Sequence, residues 1–201
     1  MSGAAIIFLV TAGVSLAGLF GSPAIIQRLI LRPYWVQRKG QYERLVTSGF
    51  VHADFAHLVF NLLTFYFFAF SIERYIGTAR FLMLYFAGLI CANIGTTYKQ
   101  RNNPDYATLG ASGAILAVLF AAIVYFPHQS LFILPIPIPI PAPLFAVGYL
   151  VYSYWSSRHA TAGRVNHDAH IAGAITGLLF VAVTDPFAYR QLAGMLGFDP
   201  Q

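Results

Sequence analysis

The sequence predicts an all-α membrane protein, a bundle of six transmembrane helices with a long interfacial first loop. Two observations predict this class. Of the 201 residues, 58% are hydrophobic and 16% aromatic, whereas only 9% are charged; soluble domains carry about 25% charged residues. The apolar residues also form long continuous runs, whereas the strands of a membrane barrel would alternate in polarity over about ten residues. Helices are therefore the predicted spanning elements.

Six apolar runs are candidates for crossing the hydrocarbon core, which takes about 20 residues, or fewer where one end lies in a protein cavity. The predicted spans are residues 3–21, 57–76, 80–98, 110–126, 141–157 and 168–185. Because no tandem repeat or flexible linker separates them, residues 1–201 are predicted to form a single membrane domain. The first run could also be a secretory leader, but no Lys or Arg precedes it, which favours a retained span.

Two connections between the spans are distinctive. Residues 22–56 form a long basic loop in which Ile, Leu, Trp and Tyr alternate with Arg and Lys, a pattern typical of short helices lying in the membrane interface. Residues 131–143 (LFILPIPIPIPAP) alternate apolar residues with proline, which disfavours helix and predicts an extended, polyproline-like connection. The net charge of +5 indicates contact with the anionic headgroups of the lipid bilayer. No basic module with interleaved aromatic residues indicates a nucleic-acid partner.

Four polar residues near the starts of the even-numbered spans stand out, because polar groups inside a membrane are costly and raise a functional question. They are His57 and Asn61 in span two, Ser112 in span four and His170 in span six. Consecutive spans run antiparallel, so these three starts face the same side of the membrane. All four residues are therefore predicted to lie in one layer.

This set can perform acyl transfer. A serine hydroxyl becomes a nucleophile when a histidine takes its proton, so Ser112 and His170 are the candidate nucleophile and base. His57, Asn61 and the Ser112 backbone N–H are candidate donors to an oxyanion, since the first two lie four residues apart on one helical face. Asp168 would point elsewhere on the helix, which favours a Ser-His dyad over a triad.

Small residues at the same places would allow the helices to approach closely. Gly173 and Gly177 form a G-x-x-x-G pattern in span six, and Gly110 and Gly113 flank the serine in span four. Larger residues would hold Ser112 away from the histidine of span six. The two glycines beside the serine also allow the backbone to bend at the helix start.

Other interpretations of these residues remain open at this point. Taken singly, each of the four polar residues is more often a packing or hydrogen-bonding group between helices. A zinc site would use His52 with His57, or His167 with His170, but neither spacing is that of H-E-x-x-H. A proton-coupled transporter would need carboxylates within the spans. Only Glu73 and Asp185 come near, and they lie at the opposite membrane face from the serine.

Three motifs together resemble the rhomboid family of intramembrane serine proteases. They are HADFAHLVFN at residues 52–61, GASG at residues 110–113 and AHIAGAITG at residues 169–177. The resemblance implies that Ser112 is the nucleophile, His170 the general base, and His57 and Asn61 the oxyanion-hole side chains. It also gives His52 a structural or water-organising role and makes Glu73 and Arg74 a structural acidic–basic pair.

The chain departs from the family pattern at two places. The first-loop motif is usually Trp-Arg, whereas Glu43-Arg44 stands here, so the resemblance leaves the packing of this loop open. In many relatives the residue four positions after the serine is aromatic, and its ring packs on the catalytic histidine. This chain has Leu116 at that position. A leucine provides no ring face, so the resemblance leaves the orientation of His170 open.

The orientation in the membrane has two conflicting predictors. The resemblance implies a bacterial-type inner membrane, a cytoplasmic N-terminus and an active site that opens to the extracytoplasmic side. The positive-inside rule predicts the reverse. Loops one, three and five carry nine basic residues (28, 32, 38, 39, 44, 99, 101, 158 and 164) against three opposite them (74, 80 and 190).

The expected function is hydrolysis of peptide bonds in or near the transmembrane segments of membrane-protein substrates through an acyl-enzyme. Such chemistry needs no metal and no organic cofactor. Residues 158–167 are expected to form a movable cap, with Gly163 allowing the movement. The alternative is an inactive rhomboid-like protein that binds and escorts membrane clients; such proteins typically lack the serine or the histidine, whereas both stand here.

Overall fold

The computed structural model describes residues 1–133, 136–159, 165–195 and 197, without the side chains of residues 136 and 137. It is mostly helical. The α-helices are α1 (Gly3–Leu16, continued by a π-helical turn over Ala17–Gly21), α2 (Pro23–Leu29), α3 (Pro33–Lys39), α4 (Arg44–Thr47), α5 (Phe55–Ile76), α6 (Thr78–Gln100), α7 (Ser112–Tyr125), α8 (Ala142–His159), α9 (His167–Thr184) and α10 (Tyr189–Met195). Short 3-10 turns cover Ser48–Phe50 and Pro186–Ala188, and two strands, β1 (Ser130–Ile133) and β2 (Ile136–Pro141), join α7 to α8.

Four of the predicted spans coincide with helical segments that are long and apolar enough to cross a membrane. These segments are Gly3–Gly21, Phe55–Ile76, Thr78–Gln100 and His167–Thr184. Each has between 18 and 23 residues, close to the roughly 20 that the hydrocarbon core requires. These four segments are therefore of membrane-spanning length.

The other two predicted spans are helical but fall short of these criteria. The run over 110–126 is the 14-residue helix α7, shorter than the roughly 20 residues of a full crossing. Every α7 residue after Ser112 is buried, as expected for a helix that is apolar on all sides and surrounded by protein. The run over 141–157 is the 18-residue helix α8. Six membrane crossings remain a prediction.

Small residues bring α6 and α7 into direct contact. A Cβ atom added to Gly88 of α6 would lie 2.4 Å from the Ala117 Cβ and 3.2 Å from the Ala114 Cα, so no larger residue fits there. α7 packs against α9, α6 and α5. It is the central element of the bundle and carries Ser112 at its first position.

The first helix is anchored by a carboxylate. Glu73, near the end of α5, accepts hydrogen bonds from the backbone N–H groups of Gly3 and Ala4, at 2.7 and 2.9 Å, and from the Thr78 hydroxyl at 2.7 Å. The first N–H groups of a helix lack intrahelical partners, and a negative charge near them is favourable. Glu73 thereby fastens α1 to the turn between α5 and α6.

The predicted polyproline-like connection over residues 131–143 is wrong in one respect. Residues 131–133 and 136–141 are extended, but β1 and β2 pair as an antiparallel hairpin, with Leu131 opposite Ile140 and Phe132 opposite Pro139. The N–H groups of a strand point alternately to its two sides, and in β2 every second residue is proline. The isoleucine N–H groups therefore all face one edge, which can pair, while the prolines face the other.

The basic first loop contains the short helices α2, α3 and α4. The Arg38 guanidinium lies over the Tyr34 ring at 3.8 Å and the Lys39 ammonium over the Trp35 ring at 4.3 Å. These cation–π contacts stabilise the two basic side chains on the helix surface. Arg44 donates to the carbonyl oxygen of Ile30 at 3.0 Å. The arginine of the Glu43-Arg44 pair thus holds two parts of the loop together.

Candidate active site

The starts of α7 and α9 bring Ser112 and His170 together. The Ser112 Oγ lies 2.8 Å from the His170 Nε2, although 58 residues separate them in the chain. Asn166 fixes the start of α9, because its side chain accepts the Ala169 N–H at 3.1 Å and donates to the Thr96 hydroxyl of α6 at 2.9 Å. Both helices therefore begin at the same end of the bundle, with the two side chains in hydrogen-bond contact.

Two glycines of α9 make this contact possible. A Cβ atom on Gly173 would lie 2.1 Å from the Gly113 carbonyl oxygen, and one on Gly177 would lie 2.2 Å from the Ala117 carbonyl oxygen. These neighbours are backbone atoms, which cannot turn away as a side chain can. The backbones of α7 and α9 touch along the G-x-x-x-G face, one turn beyond His170.

Gly110 has a different role. Its φ of +110° lies in a region that residues with a Cβ rarely adopt. A side chain there would also lie 2.9 Å from Cε1 and 3.0 Å from Nε2 of His57. The Nε2 edge of His57 thus faces the loop that leads into Ser112.

Helix α5 presents His57 and Asn61 to the same space. Asp54 caps α5 by accepting the His57 N–H at 2.8 Å, and the Asn61 amide nitrogen donates to the His57 carbonyl at 2.9 Å. A cavity of about 770 Å³ is lined by both residues together with Ser112 and His170. The structure therefore brings together all four polar residues that the sequence predicts to share one layer.

His52 lies beside this cavity and is fully buried. Its Nδ1 is 2.9 Å from the Ser15 hydroxyl, and its ring meets the His57 ring edge-on at 4.9 Å between centroids. Ser15 also donates to the Phe50 carbonyl at 2.9 Å, so its oxygen is left to accept the His52 Nδ1–H. Burial, reinforced by the neighbouring His57, lowers the pKa of His52 to about 3. A neutral ring packed against His57 is the arrangement expected of a structural residue.

Tyr149 of α8 makes a contact that the sequence pattern does not predict. Its hydroxyl lies 2.9 Å from the His170 Nδ1, and the two rings lie end to end, 6.4 Å apart between centroids with 26° between their planes. Leu116 is buried in the same apolar cluster and supplies no ring. An aromatic residue therefore contacts the histidine, but it comes from α8 and not from α7, and it meets the Nδ1 edge through its hydroxyl. The signal in the sequence is the spacing of Phe145, Tyr149 and Ser153 by four residues, which places them on one helical face.

The remaining candidates are occupied elsewhere or lie outside the described residues. Asp168 forms an ion pair with Lys99 at the end of α6, so its carboxylate is directed away from His170. Within the described ranges, His, Cys, Asp and Glu side chains form no group of three that could hold a metal ion. Of the expected cap over 158–167, residues 160–164, including Gly163, lie outside the described residues.

The fold and the site together define a class: an integral membrane protein in which membrane-spanning helices surround a cavity that holds a serine and a histidine in contact. The family model of the Rhomboid domain matches residues 39–186. The chain therefore belongs to the rhomboid family, whose members are generally intramembrane serine proteases, although some are inactive.

Individual relatives illustrate this range. The chain is 43% identical to the rhomboid-named protein YdcA of Bacillus subtilis over 79 residues, which cover 39% of each chain. It is 29% identical to the rhomboid protease GlpG of Haemophilus influenzae over 82% of this chain and 81% of that one. It is 26% identical to inactive rhomboid protein 1 of Drosophila melanogaster over 76% of this chain and 10% of the relative. Apart from GlpG, the chain spans about two fifths or less of the length of these relatives.

Proposed function

We propose that this protein is an intramembrane serine endopeptidase, which hydrolyses peptide bonds in or near the transmembrane segments of membrane proteins. The observation that carries the proposal is the 2.8 Å contact between the Ser112 Oγ and the His170 Nε2 in a cavity shared with two further polar side chains. Packing alone would not require a nucleophile, a base and hydrogen-bond donors to meet in one cavity. Rhomboid family membership supports the same reading.

The first step forms an acyl-enzyme. The Ser112 Oγ attacks the carbonyl carbon of the scissile bond while its proton passes to the His170 Nε2. The electrons of the C=O double bond move onto the oxygen, which gives a tetrahedral oxyanion. The C–N bond then breaks, His170 returns the proton to the departing amine, and the substrate's acyl group remains on Ser112.

Three donors are available to the oxyanion. Ser112 is the first residue of α7, so its N–H has no intrahelical acceptor. The amide nitrogen of Asn61 has two N–H bonds, of which the His57 carbonyl takes one. The His57 ring supplies the third donor from its edge beside Gly110. Such donors stabilise the oxyanion strongly because they are already oriented toward it before its negative charge develops.

The second step is hydrolysis of the acyl-enzyme. A water molecule gives a proton to His170 and attacks the ester carbonyl, and Ser112 leaves with the proton that the histidine returns. Val165 and Asn166, which precede α9, line the cavity. Water is proposed to enter at this end, where the polar residues of the starts of α7 and α9 meet.

The test is cleavage of a reporter transmembrane substrate by purified protein in proteoliposomes. Ser112→Ala is expected to abolish cleavage. Ser157→Ala is the matched control, because its hydroxyl donates only to the Tyr154 carbonyl one turn earlier on α8, and it is expected to cleave like the wild type. Cleavage by the Ser112→Ala protein contradicts the mechanism. If the wild type binds the reporter but cleaves no substrate, the client-binding alternative replaces the protease.

We also propose that residues 1–201 form one membrane domain, with the site open to the extracytoplasmic side of a bacterial-type inner membrane. Relatives include bacterial and mitochondrial proteins. Gln37→Cys in a Cys91→Ala background tests the orientation, since Gln37 is exposed in the first loop and Cys91 is the single native cysteine. An impermeant maleimide added outside cells is expected to label it. Labelling only after the inner face is opened contradicts the proposed orientation.

A further inference from the structure

We propose that Tyr149 is a positioning residue, whose hydroxyl oxygen holds His170 in the tautomer that can accept the Ser112 proton. This inference rests on the proposed function of Ser112 and His170. The observation behind it is that one imidazole ring contacts a hydroxyl at each nitrogen, Ser112 at Nε2 (2.8 Å) and Tyr149 at Nδ1 (2.9 Å).

The protons on the ring determine the direction of each hydrogen bond. If His170 is to take a proton from Ser112, its Nε2 must carry a lone pair. A neutral imidazole then carries its single proton on Nδ1. The Nδ1–H therefore donates to the Tyr149 oxygen, and this bond disfavours the other tautomer, which would point a proton at Ser112 and prevent its activation.

The Tyr149 oxygen can accept the Nδ1–H, because a hydroxyl has acceptor lone pairs as well as its own proton. Ser153, one turn further along α8, is fully buried beside the Tyr149 hydroxyl. Its Oγ makes no hydrogen bond in the described part of the chain, to Tyr149 or to any other residue. The expected hydrogen bonds thus run from Ser112 to His170 and from His170 to Tyr149.

No carboxylate competes for this place among the described residues around the ring. The titratable side chains beside His170 are His167 on its own helix, His57 on α5 and Tyr149 on α8. Asp168 is paired with Lys99. In a Ser-His-Asp triad the aspartate orients the histidine; here the tyrosine hydroxyl supplies that orientation without a charge.

Tyr149→Phe is the test, because it keeps the aromatic ring in its apolar cluster and removes only the hydroxyl that accepts the hydrogen bond. We expect kcat for the reporter substrate to fall about 3- to 10-fold, the loss that one neutral hydrogen bond accounts for. KM and the melting temperature are expected to stay at wild-type values. Tyr154→Phe, an exposed position on the same helix, is the matched control and is expected to leave kcat unchanged.

The tautomer itself is measured by NMR of protein labelled with ¹⁵N-histidine, with the His170 signals assigned from their loss in a His170→Gln sample. We expect the wild-type ring to be protonated on Nδ1 and the Tyr149→Phe ring to be a mixture of tautomers. Wild-type His170 protonated on Nε2 overturns the proposal even if the variant does not fold. A fall in kcat with an unchanged tautomer also overturns it, because the tyrosine would then act by packing alone.

This measurement separates the two proposals. The tautomer is read from the folded protein and does not depend on cleavage. If the Ser112→Ala protein still cleaves, the protease mechanism fails, but the Nδ1 hydrogen bond to Tyr149 can still be present. If Tyr149→Phe has the wild-type kcat and the wild-type tautomer, only the role of Tyr149 fails.

Discussion

Gly173→Ala should inactivate the protein by separating two helices. The added Cβ would lie 2.1 Å from the Gly113 carbonyl oxygen, and ordinary van der Waals contact begins at 3.4 Å. The helices α7 and α9 must therefore move apart by about 1 Å at this point. Gly113 follows Ser112 directly and Gly173 lies one turn after His170, so most of this movement is transmitted to the 2.8 Å contact between Oγ and Nε2. A displacement of 1 Å in a catalytic group can cost about 10²-fold in rate.

We expect reporter cleavage in proteoliposomes to fall by about 10²-fold, and the free energy of unfolding to fall by about 1–3 kcal/mol, as for other overpacked cores. The matched control is Gly95→Ala in α6, where an added Cβ meets no atom within 4 Å. This control should cleave normally, and its better helix propensity should make it slightly more stable. Wild-type cleavage by Gly173→Ala would refute the reasoning that the glycine face sets the distance between serine and histidine.

Three further predictions concern single polar residues. Asn61→Ala should lower kcat by about 10²–10³ if the amide serves the oxyanion; a loss below about 10-fold in the reporter assay speaks against that role. Glu73→Gln should lower the free energy of unfolding by about 1–3 kcal/mol, while the folded protein keeps its cleavage rate, because Gly3 and Ala4 donate to different carboxylate oxygens and an amide puts an NH2 group in place of one of them; an unchanged melting temperature would be inconsistent with the anchor. Because burial lowers the pKa of His52 to about 3, the unfolded chain binds the proton first as the pH falls. The contribution of His52 to the free energy of unfolding should therefore be fully present above about pH 6.5. It should decline toward pH 3 by up to about 1.4 kcal/mol per pH unit. Melting curves between pH 7.5 and 5 should show a shallower slope for His52→Gln, and equal slopes would contradict this account.

The position of the site could be predicted from the sequence because membrane helices restrict geometry strongly. Antiparallel spans bring the starts of every second helix to one side, and only a few polar residues stand near those starts. Ser112, His170, His57 and Asn61 accordingly line one cavity. The glycine spacing in span six also indicates where two backbones touch. These inferences need only helix periodicity and the direction of each span.

The contact to Tyr149 could not be predicted in this way. Which side chain contacts His170 depends on the rotation of α8 about its axis. The spacing of Phe145 and Tyr149 places them on one face, but α8 also has aromatic residues on other sides, so the spacing does not show which face meets His170. Leu116 indicates that α7 provides no aromatic ring beside His170, but it does not indicate that α8 provides one. The pairing of β1 with β2 could not be predicted for a similar reason. Proline content predicts an extended backbone but does not show whether a neighbouring strand is close enough to pair with it.

The most direct test of the central claim is mass spectrometry of the purified protein after treatment with a serine-directed fluorophosphonate. We expect one adduct, on Ser112, formed by the wild type and lost in His170→Ala, since the serine is nucleophilic only when the histidine takes its proton. An adduct on another residue, or equal labelling of Ser112 without His170, would contradict the claim that these two residues form a catalytic pair.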